Sequence, residues 1–287
     1  MEWRGRRGSG NIEDRRSVRG GGSRGASVGG VGGIGVIAVV VIGYFLGVDL
    51  TPLLNDGQGQ SQQSGAPVEI TEADKQAGQF VSVVLADTED IWATIFKQQL
   101  GETYTPATLV LYKGVTRSPC GDASGATGPF YCPGDKKVYL DTDFFTTLSR
   151  QLGAGGDFAM AYVVAHEIGH HVQDELGILA RANDIRARSS EADSNEISVR
   201  IELQADCLAG IWAREVQNYG NIEKGDFEEA VNAAKKIGDD TLQRNAGQVP
   251  MPESFTHGTS AQRSEWFIKG LNSGQLKTCD TFSAASL

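Results

Sequence analysis

Histidine, cysteine and positive charge are scarce in this chain, and each scarcity excludes something. Four histidines and four cysteines serve 287 residues. No two of Cys120, Cys132, Cys207 and Cys279 show the two-to-four-residue spacing of a four-cysteine zinc site, which removes that kind of structural metal. Lys and Arg number 26 against 36 Asp and Glu, for a formal charge of −10. The arginines Arg4, Arg6, Arg7, Arg15, Arg16, Arg19 and Arg24 stand against only Glu2, Glu13 and Asp14, so residues 1–24 carry +4 and the rest of the chain −14. An acidic body does not bind a phosphate backbone, which takes clustered Lys and Arg, so no nucleic acid partner is expected. Charge is missing altogether from Gly25 to Val48.

That uncharged stretch holds the apolar run VGGIGVIAVVVIGYFLGV, Val31–Val48. About 20 such residues, at about 1.5 Å each, span a bilayer core as a helix. A cleaved signal peptide would have a shorter apolar region and a small-x-small site after it, and none follows Val48. The expected organisation is a basic cytoplasmic arm at 1–24, a transmembrane helix at 25–48, a flexible Gly-, Gln- and Ser-rich linker at 49–67 and a globular domain at 68–287. Arginines ahead of the apolar run and an acidic body behind it predict a single-pass protein of the cell membrane, with its N-terminus cytoplasmic and its main domain extracytoplasmic.

Four cysteines outside the cytoplasm suit disulfides. A Cys120–Cys132 bond would close a short glycine-rich loop with little capacity for regular structure. Cys207–Cys279 is the remaining pair, tying a central helix to the C-terminal tail.

The body reads as α+β, mainly helical with a small β-sheet. Ile70–Leu100 has helical periodicity behind Thr71 and Asp74. Ala107–Gly114 and Lys136–Asp141 read as strands, and helices are predicted at Asp141–Leu152, Phe158–Leu176 with Asp157 as cap, Ile178–Arg188, Asp193–Tyr219, Asp226–Asn245 and Ser260–Ser273. The second strand is expected to present a free edge to an extended substrate.

Three of the four histidines fall in AHEIGHHVQ, Ala165–Gln173. His166 and His170 are four apart and project from one helix face, so two imidazoles can reach one ion; Glu167 beside them can serve as base for a metal-activated water. A catalytic zinc needs a third protein ligand, and Gln173 and Leu176 stand where a third-histidine pattern wants Gly and His. A carboxylate must serve instead. Glu202 is one candidate, with Asp206 on the same face able to accept the non-ligating N–H of a histidine; Glu196 and Asp193 are rivals. His171 points off the ligand face. His257 is either a surface-loop residue or a donor to a developing oxyanion.

Several separated segments, AHEIGHHVQ, ELQADCLAGIW (Glu202–Trp212), ESFTHGTSAQR (Glu253–Arg263), CGDASGATGPFYCPGDKKVYLD (Cys120–Asp141) and TCDTF (Thr278–Phe282), resemble the bacterial "putative neutral zinc metallopeptidase" family of single-pass membrane proteins. The resemblance implies a zincin-like fold and a membrane-anchored zinc peptidase acting on peptides or proteins. It implies His166, His170 and Glu202 as ligands, Glu167 as base, and supports His257 as the oxyanion donor. The rival expectation is a zinc-stabilised extracytoplasmic scaffold without catalysis.

Overall fold

Thr71 begins the first long helix in a computed structural model that describes residues 1–17, 70–124, 127–219, 222–284 and 287. Its hydroxyl accepts from the Asp74 N–H at 3.1 Å and the Asp74 carboxylate accepts from the Thr71 N–H at 2.9 Å, closing a capping box. Helix α1 then runs Glu72–Ile95, continues as a π-helical turn Phe96–Leu100, and stops at Gly101, whose φ of 74° favours a residue without a Cβ. The expected membrane helix at 25–48 and the linker at 49–67 lie outside the described residues. Among the described residues no helix is long and apolar enough to cross a membrane.

A four-stranded mixed sheet packs on the helices in the order β1 (Ile12–Asp14), β2 (Thr108–Tyr112), β6 (Lys137–Asp141), β5 (Phe130–Cys132). The β1–β2 and β2–β6 pairs are parallel, with Ile12 beside Leu109 and Leu109 beside Val138; β5 runs antiparallel to β6. Alternation sends Leu109, Leu111, Val138 and Leu140 into the main core and Val110, Tyr112 and Tyr139 into a small second cluster on the other face. Two expectations fail here. Strand β6 is paired on both sides, so it has no free edge for a substrate; β5 holds that edge instead. The cysteine loop is not irregular, because β3 (Val115–Ser118) and β4 (Gly121–Ser124) form a hairpin and β5 follows. Cys120–Cys132 joins this hairpin to β5, with Cα atoms 5.7 Å apart.

The N-terminal residues do not stand apart as an arm. Met1 and Trp3 are buried in the main core, and Trp3 meets Phe80 edge to face at 5.5 Å. Arg6 pairs with Asp87 at 2.5 Å, and Arg16 donates to the Asp74 carbonyl while pairing with Asp14 at 2.6 Å. The Met1 ammonium lies between Asp157 and Asp226, at 2.6 and 3.2 Å. A three-residue strand in an Arg- and Gly-rich stretch has no periodicity to betray it, and only its pairing with β2 creates it.

The remaining helices are α2 (Phe144–Arg150), α3 (Asp157–Glu175), α4 (Ile178–Arg186), α5 (Glu191–Asn218), α6 (Asp226–Lys236), α7 (Asp239–Asn245) and α8 (Ser260–Ser273). Asp157 is the first residue of α3 and not its cap; Gly156 holds that position without a side-chain bond. The single helix expected over Asp226–Asn245 is two, because Ile237 leaves helical backbone and Asp239 starts a new element. α3 is the central helix, packed against α1, α5, α6 and the sheet. A Cβ at Gly169 would meet the Ala205 carbonyl oxygen at 3.1 Å, so the missing side chain allows the close crossing of α3 on α5. Cys207–Cys279 ties α5 to the C-terminal segment.

Candidate metal centre

The crossing of α3 on α5 sets Glu202 opposite the paired imidazoles. His166 Nε2 lies 3.1 Å from Glu202 Oε2, and His170 Nε2 lies 3.5 Å from Glu202 Oε1. One ligand atom from each of the three residues falls within 4.8 Å of the others. Three donors around one tetrahedral zinc, with bonds near 2 Å, stand about 3.3 Å apart, and the two measured separations bracket that value. The donor set of two imidazole nitrogens and a carboxylate therefore fits zinc in both chemistry and spacing. The rival acids are engaged elsewhere: exposed Glu196 pairs with Arg200 at 2.8 Å, and Asp193 works at the start of α5 with Ser190.

A set of hydrogen bonds fixes how the imidazoles point. His166 Nδ1–H donates to Asp206 Oδ1 at 2.9 Å, which leaves Nε2 facing Glu202. Asp206, fully buried, also accepts from the Tyr162 hydroxyl at 2.5 Å and from Arg263 Nε and Nη2 at 2.9 and 3.0 Å. His170 Nδ1–H donates to Gln173 Oε1 at 2.9 Å. The Gln173 amide is itself held by the Ile201 carbonyl and Gln204 Oε1, so its oxygen must face the histidine. Tyr162 could have been read from the sequence, since it lies four residues before His166 on one helix face. Gln173 was read only as a departure from another ligand pattern. Arg263 and Asp239 carry no local signal.

Electrostatics follow from this packing. Burial works against a charged His166, but Asp206 outweighs it and raises the imidazole to about 10. Burial likewise opposes the charge on Glu202, yet His170 and His257 hold its carboxyl well below the usual range. With both ring nitrogens of His166 facing carboxylates, a divalent cation would replace a proton there, so metal uptake releases protons. Glu167 differs. Burial raises its carboxyl, and among the described residues it makes no hydrogen bond, while it opens to the cleft. A carboxylate of raised proton affinity and free lone pairs suits a base.

The cleft has a volume of about 270 Å³ and is walled by Phe130, Tyr131, Val163, Leu179 and Ile201. His257 lines it from the loop after α7. The Asp239 carboxylate accepts the backbone N–H groups of Thr256, His257 and Gly258, and its other oxygen lies 3.2 Å from His257 Nδ1. Burial lowers the proton affinity of His257, and Asp239 and Glu202 more than restore it. His171 is elsewhere: its ring is buried between the Tyr131 hydroxyl and the Thr105 carbonyl, at 3.1 and 2.7 Å.

The chain is 47% identical over 286 residues to "Uncharacterized protein YpfJ" of Escherichia coli, covering 98% of this chain and 99% of that one. It is 42% identical over 222 residues to "Uncharacterized protein Rv2575" of Mycobacterium tuberculosis, covering 74% of each. No solved structure matches. The profile of the family described as "Putative neutral zinc metallopeptidase" matches residues 1–282, a span that includes the N-terminal strand, the sheet and the candidate metal centre, and the chain belongs to that family.

Proposed function

We propose that the protein is a zinc-dependent peptidase with a zincin-like site, held at a membrane by residues 25–48, with its body outside the cytoplasm and peptides or proteins as substrates. One observation carries the reading: His166, His170 and Glu202 converge at zinc-ligand spacing with Glu167 beside them at the wall of an apolar cleft. Zinc bound there supplies Lewis acidity to a water and to a substrate carbonyl. Glu167 takes the proton from the attacking water and returns it to the leaving amine, a role its raised proton affinity favours. His257, whose proton affinity Asp239 and Glu202 raise against the effect of burial, is a donor to the carbonyl oxygen as negative charge grows on it. The apolar walls of the cleft take substrate side chains and exclude water. The two disulfides support an oxidising compartment.

Glu167→Gln tests the reading on the zinc-loaded protein. Zinc should remain at one equivalent while cleavage of a peptide library falls by about 10² or more. Unchanged turnover would refute the assignment of Glu167 and with it this mechanism. Zinc bound by the wild-type protein with no chelator-sensitive cleavage would leave the scaffold in place of the enzyme.

A further inference from the structure

We propose that Arg186 receives a carboxylate of the bound substrate, either its C-terminus or an acidic side chain. The inference rests on the peptidase reading and deepens it. Arg186 ends α4 and lines the same cleft as the metal centre. Its Nε donates to Ser194 Oγ at 3.3 Å and its Nη1 to Asn183 Oδ1 at 3.2 Å. Both acceptors are neutral. They orient the planar group without cancelling its charge, and Nη2 makes no hydrogen bond among the described residues. No described carboxylate lies within 4 Å of it. The other arginine lining the cleft, Arg263, is engaged through all three nitrogens by Asp206, Tyr162 and the Ile237 carbonyl. Arg186 is thus a half-buried, oriented cation whose outer edge faces a substrate cavity. Burial works against its charge, and Glu202, at longer range, works for it. A carboxylate meeting Nη1 and Nη2 would complete the fork in the bidentate geometry arginine favours.

The test measures binding by fluorescence anisotropy, using the zinc-loaded Glu167→Gln protein so that nothing is cleaved. Three labelled apolar hexapeptides share one sequence: one ends in a free carboxylate, one in a carboxamide, and one in a carboxamide with a single internal Glu. At least one acidic peptide should bind about 10-fold or more tightly than the neutral one. Arg186→Met should erase that difference without changing the affinity of the neutral peptide, and Arg186→Lys should restore part of it. Equal affinities, no binding of any peptide, or a preference that survives Arg186→Met would overturn the proposal. Failure of the peptidase reading shows separately, as absence of zinc-dependent cleavage of the neutral peptide by the wild-type protein.

A different observation carries a second inference: the structure assigns residues 1–17 and the body to the same side of the membrane. A single crossing between them would set the arm in the cytoplasm, apart from an extracytoplasmic domain. Yet β1 forms a strand of the domain's own sheet, and the Arg15 N–H donates to the Leu111 carbonyl at 2.7 Å. Four of the arginines that favour a cytoplasmic arm are spent on ion pairs: Arg6 with Asp87, Arg7 with Asp90, Arg15 with Glu13 and Arg16 with Asp14. The pairs of Arg6 and Arg7 with the body, the bond of Arg16 to the Asp74 carbonyl and the β1–β2 pairing cannot form across a bilayer. A Cβ at Gly8 would stand 3.4 Å from that of Ser82, near the spacing of about 3.8 Å in disulfides. The full chain carrying Gly8→Cys and Ser82→Cys, with a specific protease site inserted between residues 57 and 64, is oxidised in intact membranes and then cleaved. The N-terminal fragment should stay joined to the body until reductant is added. Its release without reductant, with the two new thiols labelled from opposite sides by an impermeant maleimide, would overturn the assignment.

Discussion

Removing Asp206 should damage the protein in two separable ways. Arg263 is 2% exposed, and its guanidinium makes three contacts to the Asp206 and Tyr162 oxygens. Asp206→Ala leaves that cation buried with no anionic partner, a change that costs about 3–5 kcal/mol in comparable buried pairs. Set against a total stability of about 5–15 kcal/mol, the loss should be plain in urea unfolding of the chelator-treated protein. His166 also loses the acceptor that fixes its Nδ1–H, so zinc should bind about 10–100-fold more weakly in a competition titration. Adding Arg263→Met to Asp206→Leu separates the effects, because an apolar pair removes the stranded charge and leaves His166 unsupported. The double variant should regain most of the stability and none of the zinc affinity. Asp206→Ala unfolding within about 1 kcal/mol of the wild type, or wild-type zinc affinity in the double variant, would refute this account of the buried cluster.

Three further outcomes are expected. Gln173→Ala should weaken zinc binding by about 10–100-fold through a freed His170 ring, with unfolding of the metal-free protein changed far less than by Asp206→Ala; unchanged affinity would count against the orienting role. Burial favours protonated Asp74, but Lys113 and Thr71 outweigh it and hold the carboxyl down to about 2, below the value of about 3.9 in an unfolded chain. Its contribution is therefore complete above about pH 4 and is lost as pH falls toward 2, so Asp74→Asn should flatten the acid limb of a stability-against-pH curve, and superimposable limbs would contradict it. A side chain at Gly270 would collide with the Cys207 carbonyl where α8 crosses α5. Gly270→Ala should therefore lower stability by about 1–3 kcal/mol, although Ala alone favours a helix by about 1 kcal/mol. A rise in Tm would show that the crossing relaxes freely.

What the sequence determined by itself was local. The spacing of His166 and His170 places both rings on one face of any helix, so half of the candidate metal centre was legible before the chain was folded. Thr259 and Gln262 set the start of α8, and its predicted span, Ser260–Ser273, is the observed one because caps act within a turn. The resemblance already implied Glu202 over Glu196 and Asp193, but all three are carboxylates on α5 and helix periodicity does not rank them; the close approach at Gly169 is what sets Glu202 opposite the imidazoles. Tertiary structure also gave Arg263 and Asp239 their roles, from positions 57 residues beyond Asp206 and 18 before His257. The sheet edge belongs to the same class, since the neighbours of a strand are set by distant pairing and leave no mark in its own residues. The N-terminal arginines show the contrast most plainly. As a charge pattern they read as a cytoplasmic arm, while in the fold Arg6 and Arg7 meet Asp87 and Asp90 of the body and Arg15 and Arg16 meet Glu13 and Asp14 beside them, because an ion pair depends on distance in space and a charge count does not.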